Sequence, residues 1–139
     1  MVRIRLAEWP MVRIDVDGLI TLPEIEEYIA AMEKFLEETE RREEPYGMIY
    51  NTQMTDKEFK STKREKDAHK RSVQWTREAK PRICAYCIGI ATIAQGSAMM
   101  KFMKPIIKMG MKKMMGAPGE AFFSVDEGKK WLQSRLNSQ

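Results

Sequence analysis

Few side chains in this sequence could carry chemistry, and their spacing sets narrow limits. Cys84-Ala85-Tyr86-Cys87 has the CxxC spacing of redox and metal-binding pairs, and the chain has 2 cysteines in all. In redox proteins the pair opens a helix, whose dipole lowers a thiol pKa. Here it lies inside the apolar run RICAYCIGIATIA, which reads as a strand. Residues three apart on a strand point to opposite faces, so the expectation is two structural thiols. No second Cys or His pair completes a zinc site. His69 is the 1 histidine, set among Lys66, Asp67, Lys70 and Arg71. That is the setting of a solvated surface residue, and no nucleophile-base arrangement accompanies it. Neither GxxxxGK[ST] nor GxGxxG occurs, so the phosphate-cradling loops are absent. No catalytic residue, metal or cofactor is expected.

The unusual segment is MMKFMKPIIKMGMKKMMG, residues 99–116, with 7 of the chain's 12 methionines, 5 lysines and no acid. Wound at about 100° per residue, Lys101, Lys104, Lys108 and Lys112 fall within about 80° of one another. Met99, Phe102, Met103, Ile106, Ile107, Gly110, Met111 and Met114 spread over most of the rest. An inward stripe needs somewhat more than about 100°, and this one looks nearly twice as wide. Pro105 is expected to kink or split the helix. The surplus apolar surface calls for a covering: another helix, a second subunit, a hydrophobic ligand or a lipid interface. Methionine, flexible and polarisable, suits each, and lysines along one edge favour an anionic lipid surface.

Charge is distributed unevenly. Residues 1–45 hold 6 basic and 12 acidic side chains, whereas residues 79–119 hold 7 basic and none acidic. No recognised DNA- or RNA-reading motif accompanies the basic segment, so no nucleic acid partner is expected. A chain of 139 residues suits a single domain over 1–139. There is no run of 18 apolar residues for a membrane span, and the N-terminus lacks a signal-peptide h-region. The expectation is a cytoplasmic protein that the Met/Lys segment could bring to the inner membrane surface.

The elements that must position these residues follow from periodicity. Residues 2–6 and 11–16 alternate as strands, with Asp17-Gly18 as a turn. Thr21 and Glu24 form a capping-box pattern, with Pro23 in the first turn. Ile25, Ile29, Met32 and Leu36 then mark an amphipathic helix to about Arg41, whose glutamate-rich side reads as a solvated face. Tyr46 to Tyr50 suits a buried strand. A long helix from roughly Glu58 to Lys80 has a thin apolar face of Ser61, Glu65, Ala68, Ser72, Trp75 and Ala79, and Pro81 should stop it. Arg82 to Ala94 reads as a central strand, the Met/Lys segment as a helix, and Glu120 to Val125 as a last strand. Ser124 or Asp126 then caps a final helix with Gly128, Trp131, Leu132 and Leu136 inward. The order is ββαβαβαβα, an α/β fold.

This order, with GLITLPEIEEYIAAMEKF, CIGIATIAQGSAMMKF and AFFSVDEGKKWL, resembles the SpoIIAA-like (STAS-like, STAS/SEC14 domain-containing) bacterial proteins. The resemblance covers about residues 11–137. In that family a Trp-bearing helix precedes a strand ending G-[IV]-A, and the chain closes on F-s-x-x-e-A-x-x-W-L. Phe123, Ser124, Glu127, Gly128, Trp131 and Leu132 occupy those last places, with Gly128 where alanine is usual. The resemblance implies a four- to five-stranded mixed sheet packed against about four helices. It also implies a non-enzymatic binding or interaction domain, often a homodimer. Anti-sigma-factor antagonists of the wider group carry a phosphorylated Ser, just after an Asp, at the helix following the third strand. Here that strand ends in Asn51-Thr52, with no Asp-Ser pair.

Two functional expectations result. In the first, a non-catalytic regulatory domain binds a hydrophobic ligand or an anionic lipid surface through Met99, Phe102, Met103, Lys104, Ile106, Ile107, Lys108, Met111 and Lys112. In the second, a signalling module binds a protein partner through a regulatory loop containing Asn51, Thr52, Thr55, Ser61 and Thr62, and the methionines serve as core or dimer interface.

Overall fold

A computed structural model describes residues 2–5, 9–16, 21–52, 66–93, 104–105, 107, 109–110, 112–113 and 115–138. Its elements are β1 (Val2–Arg5), β2 (Met11–Val16), α1 (Leu22–Arg42), β3 (Tyr46–Thr52), α2 (Lys66–Tyr86), β4 (Cys87–Ile93), β5 (Gly119–Phe122) and α3 (Val125–Asn137). The α/β class is therefore as expected. The five strands lie side by side in chain order. β2 to β5 run parallel, and β1 pairs antiparallel with β2 at the edge.

Alternation along the strands builds two cores. Val12, Ile14, Tyr46, Met48 and Ile90 face α1 and α2, joined by Met115 and Ala117. Met11, Ile49, Ala91 and Ile93 face α3 through Leu132. The expected inward stripe of α1 is buried throughout: Ile25, Tyr28, Ile29, Met32, Phe35 and Leu36. Thr21 is the residue preceding α1, but its hydroxyl donates to the Glu24 carboxylate (3.2 Å) and accepts no cap hydrogen bond. Ser124 does cap α3, accepting from the Glu127 N–H. The Gly128 departure also has a packing reason. A Cβ there would sit 3.0 Å from Ile93 Cδ1 and 3.1 Å from Ala91 Cβ, so glycine lets α3 lie close on β4.

One expectation is corrected. Pro81 does not stop the second long helix, which continues to Tyr86. Proline removes one backbone donor and crowds the preceding turn, but Trp75, Ala79 and Ile83 at four-residue spacing are all buried. Keeping Ile83 on that face outweighs the lost hydrogen bond. The following strand consequently begins at Cys87. The N-terminal part of the expected helix, from Glu58, and the Asp17-Gly18 turn lie outside the described residues.

The glutamate side of α1 is largely solvated, as expected, with Glu26, Glu27, Glu37 and Glu40 exposed. Glu26, Glu33 and Glu40, spaced by seven, also line up along α2. Arg71 Nε bonds Glu26 (2.8 Å), Arg82 bonds both Glu33 (2.6 Å) and Glu40 (2.7 Å), and Trp75 Nε1 donates to Glu33 (2.9 Å). The Arg82 guanidinium and then the Trp75 N–H hold the Glu33 carboxyl below its ordinary value. A depressed carboxylate contributes stability that is present above its unfolded pKa, near 4.5, and is lost as pH falls through the folded value. Urea midpoints should therefore fall on acidification below about pH 4.5, with a smaller acid-dependent loss in Glu33→Gln.

Candidate functional site

The described residues between 104 and 115 are helical. Gly116 ends the turn: its φ is +78°, and its N–H bonds the Lys112 carbonyl (2.9 Å). This is the left-handed C-terminal closure that glycine favours. Ile107 is 3% exposed and Met115 is 7% exposed, so both point inward. Met109, two residues and roughly 200° from Ile107, is 80% exposed. Lys104, Lys112 and Lys113 are exposed as well. Of the expected contact residues, Lys104 and Lys112 are on the surface. Ile107 is corrected from ligand contact to core, because its side chain packs inward. Met99, Phe102, Met103, Ile106, Lys108 and Met111 lie outside the described residues.

Met109 and Lys113 belong to this surface although the sequence reasoning passed them over. The signal was available: once Ile107 anchors the inside, a residue two positions on must point away. The outer side thus presents a large apolar side chain among ammonium groups, with no carboxylate in the surrounding sequence from 79 to 119.

The second expected site divides differently. Asn51 is not in a loop but inside β3, 3% exposed, paired in register with Asp15. Thr52 ends the strand, and Thr55, Ser61 and Thr62 lie outside the described residues. Asn51 Nδ2 donates to Asp15 Oδ1 (3.1 Å), which also accepts from Arg13 Nε (2.8 Å). The Asn51 carbonyl oxygen is buried and has no hydrogen-bond partner. None of this follows from sequence spacing. Arg13 and Asp15 share a face by alternation, but the register bringing Asn51 across from Asp15 is tertiary.

On the opposite face, Tyr28 and Tyr50 join hydroxyls at 2.6 Å. Burial pushes Tyr28 up to about 12 and Tyr50 well above its ordinary value, so both stay protonated at neutral pH. Thr92 lies beside Tyr50 in register, 4% exposed, with an unpartnered hydroxyl. An unsatisfied buried hydroxyl costs roughly 1–3 kcal/mol. Thr92→Val, nearly isosteric, is expected to stabilise the fold by about 1 kcal/mol in urea denaturation.

The two cysteines are not on one strand, contrary to expectation. Cys84 is in the last turn of α2 and exposed, whereas Cys87 begins β4 and is buried. The cause is the continuation of α2 through Pro81. Burial pushes the Cys87 thiol up to about 12, and its Sγ lies 3.4 Å from the Gly89 carbonyl. A thiol so raised is a poor nucleophile or metal ligand at neutral pH. Among the described residues no group of three or more His, Cys, Asp and Glu side chains could hold a metal ion, and no helix is long and apolar enough to cross a membrane. No family model, curated protein or solved structure matches this chain.

Proposed function

We propose that this chain is a non-catalytic, SpoIIAA-like binding domain that docks on an anionic phospholipid surface. The helical segment 104–115, as a fourth helix of the fold, would supply the contact. The observation that carries this reading is Met109, 80% exposed on a helix whose other exposed residues include Lys104, Lys112 and Lys113. A methionine so placed gains little from the folded chain, and its thioether can enter the interfacial zone while the lysines meet lipid phosphates. Charge complementarity selects the occupant, since the segment from 79 to 119 has 7 basic residues and none acidic. Each lysine near an anionic leaflet contributes about 1 kcal/mol, and the contribution falls off within a Debye length.

Lys112→Gln with Lys113→Gln should lower partitioning onto phosphatidylserine-containing vesicles roughly 30-fold by co-sedimentation, with thermal stability little changed. Unaltered partitioning in that double variant would move the contact elsewhere.

A further inference from the structure

We propose that Arg13, Asp15 and Asn51 form a second binding site, for a small ligand carrying an oxyanion and a neighbouring hydroxyl. The site lies on the face of the sheet that α3 shares, towards β2, because α3 packs over β3, β4 and β5. Parallel strands β2 and β3 both end here, at Val16 and Thr52.

The orientation of Asn51 makes the first half of the case. Its Nδ2 must face Asp15, since the reversed amide would set oxygen against carboxylate oxygen. Its Oδ1 is then fixed in direction, buried and unpartnered. Buried carbonyl groups are almost always satisfied, so this one calls for a donor. An ammonium donor is disfavoured by the Arg13 guanidinium bound to the same Asp15 oxygen, and a neutral hydroxyl suits the carbonyl as donor.

Arg13 makes the other half. Asp15 engages its Nε, and its side chain is 23% exposed. A guanidinium held at Nε presents its two terminal nitrogens as a fork, the geometry that matches carboxylate and phosphate oxygens. Asp15 thus acts as a positioning residue for both ligand-facing groups, with its Oδ1 accepting from Arg13 and Asn51 together. The site is independent of the Met/Lys helix, and either can fail alone.

The test is a nuclear magnetic resonance titration of the full chain with glycerol 3-phosphate, following the side-chain NH2 signals of Asn51. Ethyl phosphate, which lacks the hydroxyls, forms the second arm. A saturable shift with glycerol 3-phosphate is expected, with about tenfold weaker binding of ethyl phosphate. Arg13→Lys keeps a positive charge beside Asp15 and should keep the thermal midpoint, but weaken both ligands about tenfold. Equal binding of the two phosphates would overturn the role of Asn51 Oδ1. No saturable shift up to about 10 mM, or the same shifts in folded Arg13→Lys, would overturn the site.

Discussion

Phe35→Ala is expected to cost about 3–5 kcal/mol of folding stability. Phe35 is 1% exposed in the middle of α1. Its ring meets Tyr46 edge-on at 4.9 Å between centroids and Trp9 at 5.8 Å. The substitution removes the transfer free energy of the ring, leaves a cavity between α1 and β3, and ends two aromatic contacts. Such contacts add about 0.5–1.5 kcal/mol each beyond burial. Native domains have only about 5–15 kcal/mol in total, so Phe35→Ala should bring the fold close to its limit at room temperature. Urea denaturation with an unchanged slope checks this. Phe123, 54% exposed, is the control: Phe123→Ala should stay within about 0.5 kcal/mol. Comparable losses at the two positions would mean that the α1–β3 core is not where stability resides.

Gly116→Ala is the other large effect, about 3 kcal/mol. Two causes add. The φ of +78° is a left-handed conformation that costs an L-residue about 1–2 kcal/mol. A Cβ at Gly116 would also lie 2.5 Å from Cys84 Cβ, where something must shift. Because the obstruction is the root of a side chain in the last turn of α2, a rotamer change cannot relieve it. A double-mutant cycle separates the causes. In a Cys84→Gly background the Gly116→Ala substitution should cost only the conformational part, leaving a coupling of about 1–2 kcal/mol. Zero coupling would mean that Gly116 matters for its φ alone.

What the sequence could and could not announce follows from the range of each interaction. The inward stripe of α1 is written in local periodicity, and the buried strands β3 and β4 in short apolar runs. Ile25 to Leu36 lie where that periodicity puts them, whereas the apolar run from Arg82 becomes strand only at Cys87. Pro81 was misread because a local rule met a tertiary gain: Ile83, 0% exposed, keeps the helix running past the proline. That misreading displaced Cys84 onto a helix and so changed the meaning of the CxxC. The spacing of Glu26, Glu33 and Glu40 is visible in sequence, but their partners Arg71 and Arg82 are more than 40 residues away and become neighbours only when α2 packs on α1. The Arg13–Asp15–Asn51 cluster had no local signal beyond a charged pair on one strand face. For the Met/Lys segment, the alternation of methionine and lysine was legible, but which side faces out was not: Ile107 is buried and Met109 is exposed.

The central claim is that this exposed methionine among lysines is a working surface for anionic lipid. Co-sedimentation of the full chain with phosphatidylserine-containing and with purely neutral vesicles, at low and high salt, tests it most directly. The account predicts binding to the anionic vesicles, little to the neutral ones, and release when added salt shortens the Debye length from about 10 Å to about 3 Å. A chain that ignores both kinds of vesicle at low salt, or that binds both equally and is indifferent to salt, would contradict it.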